Sequence, residues 1–140
     1  MMRMAQGRLD VETKGQGLYE VTAEVASWVA SQGISAGLLT LFLRHSSASI
    51  LIQENAAPEV RADLLAFLRD LAPEDAARWR HNDEGTDDMP AHIKSALLPT
   101  QLAVPVAGAR LLLGTWQGIY VVEHRRAPHR RELVLHLTGE

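Results

Sequence analysis

Residues 35–53 of the chain, SAGLLTLFLRHSSASILIQ, indicate the fold most directly. The apolar run Ser35–His45 is rich in residues that favour strands and is too short to span a membrane as a helix. Three small residues then lead to a second apolar run, Ser49–Gln53. The stretch therefore predicts two consecutive strands, the first of them buried.

Helical patterns flank these strands. Apolar residues between Val21 and Val29 recur at helical spacing, and Gly33 is placed to end that helix. Pro58 suits the first turn of a second helix with one continuous apolar face, and Pro90–Leu98 forms a shorter third helix. The apolar face of the second helix comprises Val60, Leu64, Phe67, Leu68 and Leu71. Further strands are predicted over Arg8–Thr13, Arg110–Leu113, Gly118–His124 and Glu132–Thr138.

The predicted strands outnumber the helices and do not alternate with them regularly. This pattern favours a compact α+β domain with a mostly antiparallel sheet and two to three helices. A length of 140 residues suits one domain, and no linker or repeat divides residues 1–140. The chain has no membrane-length apolar run and its first residues lack the core of a secretion signal, so we expect a cytoplasmic protein with no membrane partner.

Composition excludes several functional classes. The chain has no cysteine, which excludes disulfides, thiolate catalysis and a cysteine zinc site. Its formal net charge of -3 gives no electrostatic reason to expect nucleic acid as a partner. Neither of the usual glycine-rich nucleotide-binding motifs is present. Basic residues do gather at Arg125-Arg126 and Arg130-Arg131, which is compatible with a local site for a small anion.

The segment His81–Lys94, HNDEGTDDMPAHIK, concentrates groups that bind metals and transfer protons. Asp87 and Asp88 precede the third helix, where acidic residues cap a helix, and we expect at least one of them to do so. Glu84 has no such structural role, so it is the better candidate for proton transfer or for support of a site.

Three of the six histidines lie beside carboxylates or at the end of an element, namely His81, His92 and His124. Three neutral imidazoles leave one coordination position open on zinc, and nearby carboxylates can orient them. The alternative is that each is a hydrogen-bonded structural histidine, because His81 and His92 lie 11 positions apart and this spacing matches no compact zinc signature. His136 is expected to be structural.

Three blocks of the chain resemble, in order, the signature blocks of the YjbQ family: SSASILIQENAAPEVRADL, WRHNDEGTDDMPAHIKSALL and GARLLLGTWQGIYVVEHR. The resemblance covers nearly the whole chain and implies a YjbQ-like α+β fold assembled as a homotrimer, with a polar site near the subunit boundary. It also implies a metal on His81, His92 and His124, with His45 as a near neighbour. Some members are labelled secondary thiamine-phosphate synthases, which implies chemistry on small phosphorylated heterocycles.

Two positions depart from the family pattern. Gln53 replaces the usual Asn, so we leave it out of the predicted site and retain Glu54 and Asn55. Ala57 replaces the usual Asp before Pro58, and loss of such a helix cap typically costs ~1 kcal/mol.

The leading hypothesis is a metal-dependent enzyme that acts on a small phosphorylated substrate. The divalent metal is zinc, with magnesium or manganese as alternatives, and it polarises a phosphoryl oxygen or activates a water. The groups with predicted roles are Glu84 or Asp88 for proton transfer, Arg125 with Lys94 for the anionic group, and Ser46 and Ser47 as further donors.

Two alternatives belong to other classes. A non-catalytic carrier or sensor of a phosphorylated metabolite needs the anion-binding residues but no proton-transfer group. A structural trimer uses the histidines and carboxylates across its interfaces, and Trp116-Gln117-Gly118 would then serve packing.

Overall fold

Residues 1–140 are all described by a computed structural model, which contains three helices and eight strands. In chain order the elements are β1 Arg3–Thr13, β2 Gly17–Glu20, α1 Thr22–Ala30, β3 Gly37–Leu43, β4 Ala48–Glu54, α2 Pro58–Leu71, α3 Asp88–Leu97, β5 Gln101–Ala107, β6 Arg110–Leu111, β7 Gln117–Glu123 and β8 His129–Gly139.

The strands form two sheets in which every neighbouring pair is antiparallel. The larger sheet has the order β1-β8-β3-β5-β6, and the smaller has the order β2-β7-β4. Consecutive strands β3 and β4 therefore belong to different sheets. The loop between them, residues 44–47, crosses from one sheet to the other and brings its polar residues to the boundary.

One apolar cluster joins the inner faces of both sheets to α1. Strand β8 shows how it forms, because alternate residues from Arg131 to Gly139 are buried and the residues between them are partly exposed. Leucines fill most of these inward positions, so burial of their side chains stabilises the stacked sheets. The buried leucines of β3 and β8 are Leu39, Leu41, Leu43, Leu133, Leu135 and Leu137.

The predicted α+β class and the mostly antiparallel sheet are confirmed. Each predicted helix and strand is present, with ends shifted by a few residues. Two strands were missed. Strand β2 follows Gly15 and contains Gly17, and these glycines suggested a turn rather than a strand. Strand β5 contains Pro105, which is tolerated because β5 has β3 on one side and only the two-residue β6 on the other.

Helix α2 has the predicted apolar face, but that face is not buried within the chain. No residue of α2 is buried, and Phe67 and Leu71 are 55% and 49% exposed. The helix therefore presents an apolar surface that this chain alone leaves uncovered. None of the three helices is long and apolar enough to cross a membrane.

Candidate metal centre

Three side chains converge at the start of α3. One ligand atom each from His81, Asp88 and His92 lies within 4.8 Å of the others. The Nε2 atoms of the two imidazoles are 2.7 and 3.3 Å from the same carboxylate oxygen, Asp88 Oδ2. The spacing explains part of this geometry, because Asp88 and His92 are four residues apart and occupy one helix face.

His92 is held in one tautomer by the neighbouring loop. Its Nδ1 is 2.9 Å from the carbonyl oxygen of Ser46, which can only accept, so Nδ1 carries the hydrogen. In the neutral ring Nε2 is then an acceptor that faces Asp88 Oδ2, another acceptor. Two acceptor atoms 3.3 Å apart need a proton or a metal cation between them to be stable.

Asp88 is a buried anion with its two oxygens assigned to different partners. It is 1% exposed. Oδ2 faces the imidazoles, and Oδ1 accepts a 2.8 Å hydrogen bond from Arg125 Nη1. Burial alone would raise the pKa of this carboxyl, but the hydrogen bond with His81 and the charges of His92 and Arg125 hold the pKa below its usual value. The group is therefore a carboxylate at neutral pH.

Arg125 organises the segment before α3. Its Nε donates to Asp87 Oδ2 at 3.1 Å and its Nη2 donates to the carbonyl oxygen of Glu84 at 2.8 Å, in addition to the bond with Asp88. All three guanidinium nitrogens thus have acceptors within the chain. The anion-binding role of Arg125 stays a prediction; the bonds in this geometry show that the guanidinium positions Asp88.

The predicted helix caps are also absent. Asp87 is the N-cap residue of α3, but it makes no side-chain capping hydrogen bond. Its Oδ2 instead accepts from the backbone N–H of Arg126 at 2.9 Å as well as from Arg125. These bonds turn the carboxylates toward the β7–β8 loop, so they do not reach the free N–H groups of their own helix.

The structure does not bring His124 to the other two predicted metal ligands. Its Nε2 lies 2.9 Å from Ser49 Oγ, and both side chains are buried. Burial and the charge of Lys94 lower the pKa of His124 to about 3, so the ring is neutral. Sequence position could not show this, because the partner of the ring, Ser49, lies 75 residues earlier in the chain.

Lys94 was predicted to support an anion site and is instead almost enclosed. It is 4% exposed, and no carboxylate lies within 4.0 Å of its amine. Burial lowers the pKa of this amine. The neighbouring Ser95 donates to the carbonyl oxygen of Ala48 at 3.2 Å, which holds this part of α3 against β4.

The β3–β4 loop contributes three predicted residues. Ser46 orients His92 through its carbonyl, and Ser47 accepts from Arg131 Nη2 through both its carbonyl and hydroxyl oxygens at 3.1 Å. His45 Nε2 accepts a 2.7 Å hydrogen bond from the backbone N–H of Glu132. Ser46 thus contacts the cluster directly, whereas Ser47 and His45 bond to residues of β8.

A buried ion pair that was not predicted from the sequence lies behind this loop, between Arg131 and Glu123. Glu123 is 0% exposed and also accepts a 2.6 Å hydrogen bond from Thr13. A signal was present: Arg131 shares the inward register of β8 with the buried Leu133, and a charge in that position needs a buried partner.

Glu54 and Asn55 do not belong to the cluster. They lie at the far end of the seven-residue β4, which is about 20 Å from its start at the rise of a strand. Glu54 accepts from the backbone N–H of Ala57 at 3.2 Å, and Asn55 faces Glu20 at 3.5 Å. Glu84 is exposed beside Arg125, and its side chain has no hydrogen-bond partner.

Comparison with known proteins identifies the relatives of the chain. Residues 7–140 match the family described as "UPF0047 protein YjbQ-like". The chain belongs to this family. A UPF0047 protein of Synechocystis is 48% identical over 138 residues, which cover 99% of this chain and 94% of that protein. The UPF0047 protein YjbQ of Escherichia coli O157:H7 is 41% identical over 136 residues, covering 96% and 98% of the two chains.

Two solved structures share the fold. A "YbjQ-like protein of unknown function" from Sulfolobus solfataricus superposes with a TM-score of 0.91 at 26% identity, covering 100% of both chains. A conserved hypothetical protein from Thermus thermophilus gives 0.82 at 34% identity, covering 92% of this chain and 97% of the other. UPF0047 membership and the YjbQ-like fold are thus shown, which confirms the resemblance seen in the motifs.

Proposed function

We propose that this protein is a metal-dependent enzyme that acts on a small phosphorylated substrate, with thiamine-phosphate synthase-like side activity. The observation that carries the proposal is the convergence of His81, Asp88 and His92 within 4.8 Å. The ligand set differs from that expected from the sequence, because Asp88 takes the place of His124.

The donor atoms fit a transition metal better than magnesium. Two imidazole nitrogens and one carboxylate oxygen are a ligand set that catalytic zinc uses, with the fourth position open. Magnesium prefers oxygen ligands and retains several waters, so two histidines argue against it. Hydrogen bonds to the ligands also support a transition-metal site, because Ser46 fixes the His92 tautomer and Arg125 holds the second oxygen of Asp88.

Each residue of the centre then has one chemical role. When bound, the divalent ion would supply a Lewis acid for a phosphoryl oxygen or an activated water. Asp88 stays ionised and holds the ion, so it is not available as a general acid. The backbone carbonyl of Glu84 is bonded to Arg125 and its carboxylate is exposed, so we assign the proton transfer to Glu84.

The substrate class is supported by the family resemblance. In the thiamine reaction, a thiazole phosphate displaces pyrophosphate from an activated pyrimidine, so both partners carry phosphate. We also propose that the protein is a cytoplasmic homotrimer, and the uncovered apolar face of α2 supports an assembly of more than one chain.

The alternative is a carrier that binds a phosphorylated metabolite without reaction, and Glu84→Gln distinguishes it from an enzyme. In the zinc-loaded protein we expect Glu84→Gln to lower the rate of thiamine-phosphate formation at least ~100-fold, the usual scale of general acid–base catalysis. Substrate affinity should stay the same. Asp83→Asn is the matched control, because it removes a charge from a neighbouring exposed residue with no hydrogen-bond partner.

Turnover is followed as release of pyrophosphate, and affinity by calorimetry. If all three proteins bind both substrates equally and none turns them over, the enzyme proposal is wrong for this reaction and the carrier takes its place. If Glu84→Gln retains full turnover, the enzyme stands but another group moves the proton.

A further inference from the structure

The tautomer of His45 is fixed by the backbone of the neighbouring strand. Its Nε2 is 2.7 Å from the backbone nitrogen of Glu132, and a backbone N–H can only donate. Nε2 is therefore the acceptor and the ring hydrogen is on Nδ1. Burial and the charge of Arg131 lower the pKa of His45, which is consistent with a neutral ring.

This assignment leaves two donors facing each other. His45 Nδ1 is 3.4 Å from Arg131 Nη1, and neither atom can accept a hydrogen bond. The other nitrogens of the guanidinium are bonded, because Nε donates to Glu123 and Nη2 donates to Glu123 and Ser47. Nη1 and the His45 Nδ1–H are thus the donors in this cluster that lack an acceptor.

We infer that His45 and Arg131 form a binding site for one oxygen of a small oxyanion, of the phosphate or phosphate-monoester class. Two nitrogens 3.4 Å apart can both lie about 2.9 Å from a single oxygen. A water bound there would need acceptors for its own two hydrogens, whereas an anionic oxygen carries no hydrogen and only accepts. Arg131 is 4% exposed, so a hydrogen bond from its Nη1 is shielded from water and is stronger than an exposed one.

The loop that carries His45 adds further donors. No acceptor within the chain pairs with the backbone N–H groups of Ser46 and Ser47. Such unpaired amides in a loop are suited to binding oxyanions. Glu123 and Arg131 neutralise each other, so the unpaired donors rather than a net charge make this site suited to an oxyanion.

The site adjoins the candidate metal centre through one residue. Ser46 accepts from His92, a proposed metal ligand, and its neighbour His45 supplies the anion donor. An anionic group held by His45 and Arg131 would thus be bound by the same loop that orients a proposed metal ligand. In this role the inference rests on the proposed function, and it assigns to Arg131 the anion-binding part that the sequence suggested for Arg125.

A pair of His45 variants tests the site. Glutamine can place an acceptor near the position of Nε2 but no donor at Nδ1, whereas asparagine can place a donor near Nδ1 but no acceptor for Glu132. Inorganic phosphate is titrated into full-length protein from which metal has been removed, with binding followed by calorimetry and unfolding by urea. We expect His45→Gln to weaken phosphate binding ~10-fold with little change in stability.

His45→Asn should behave in the opposite way, with phosphate affinity within ~3-fold of the unchanged protein and a lower unfolding midpoint. His136→Gln is the matched control, because that histidine bonds Gln6 and Thr138 on β1 and β8 and should leave phosphate binding unchanged. Equal phosphate affinity in the unchanged protein and His45→Gln, or no binding by the unchanged protein at millimolar phosphate, would overturn the inference.

Nitrogen-15 NMR of the imidazole gives a second readout that needs no variant to fold. The Nδ1–H tautomer of His45 is expected, and an Nε2–H tautomer would remove the basis of the site. Because phosphate is titrated without metal, failure here is distinct from failure of the metal centre. A protein that binds zinc but not phosphate would keep the proposed centre and lose only this inference.

Discussion

His92 and His124 carry the same imidazole, yet their neighbours give them different chemistry. His92 is partly exposed, and its Nδ1 is fixed by a backbone carbonyl so that Nε2 faces Asp88. His124 is 1% exposed and bonded to a buried serine, and its pKa is lowered to about 3. The first is suited to bind a cation, while the second is suited to remain neutral inside the protein.

The burial of His124 makes a prediction about pH. Its pKa is 6.5 in the unfolded chain and about 3 in the fold, so between these values the unfolded state binds more protons. The contribution is fully present above pH 6.5 and is lost as pH falls toward 3. From pH 7 to 5, the metal-free protein should lose about 2 kcal/mol more stability than His124→Gln does.

Urea unfolding at both pH values measures this difference. Glutamine can keep an acceptor for Ser49 but does not titrate, so the other groups with shifted pKa values contribute equally to both proteins. His136→Gln, which removes a less buried histidine, should retain the pH dependence of the unchanged protein. Equal pH dependence in His124→Gln and the unchanged protein would mean that His124 is not buried in a neutral form.

The sequence predicted the members of the centre better than their partners. His81 and His92 stand out because they flank an acidic segment, and Asp88 lies four residues before His92 on α3. Asp88 takes the place expected for His124 because Arg125 turns its carboxylate away from the helix and toward the imidazoles. Local sequence spacing does not show such long-range contacts, and the structure brings Asp88 rather than His124 to the two imidazoles.

Helix α2 lacks the usual capping side chain at its start, and Glu54 replaces part of that cap. Ala57 is the N-cap residue and makes no side-chain capping bond, but Glu54 reaches the backbone N–H of Ala57 itself. The N–H groups further into the first turn remain without a side-chain partner. Strands β2 and β5 have a weak strand pattern in the sequence, because one contains glycine and the other proline. They form through pairing with distant strands, β2 with β7 and β5 with β3.

Restoring the cap should stabilise the protein. Ala57 has extended backbone angles suited to an N-cap, so Ala57→Asp can accept from the first turn and favour the positive end of the helix. We expect a gain of about 1 kcal/mol in the free energy of unfolding, measured with urea. Ala56→Asp is the control with the same charge one residue earlier, and an equal gain there would assign the effect to charge alone.

For the whole molecule, the uncovered face of α2 is the feature that a single chain does not explain. The helix has 14 residues and a continuous apolar face, yet none of its residues is buried. The fold class could be predicted from the number and order of the strands. Assembly with other chains could not, because the sequence shows only that α2 is amphipathic and not what covers its apolar face. Burial of this face by another copy of the chain would account for it.

The proposed homotrimer therefore predicts that Phe67→Asp shifts the molar mass in solution from three chains toward one. Ala66→Asp adds the same charge to the same helix on an exposed position away from Phe67, and it should leave the mass unchanged. Light scattering after size-exclusion chromatography measures both. A monomeric unchanged protein would contradict the trimer, and a trimer that survives Phe67→Asp would place the interface elsewhere.

The central claim is that His81, Asp88 and His92 bind a divalent metal. The most direct measurement is elemental analysis of the protein purified without a histidine tag, beside His92→Ala and with His136→Ala as control. The account predicts about one zinc-like ion per chain in the unchanged protein and in His136→Ala, with none in a folded His92→Ala. No bound metal in any of them, even after addition of zinc or manganese, would contradict the metal centre and leave the carrier as the better explanation.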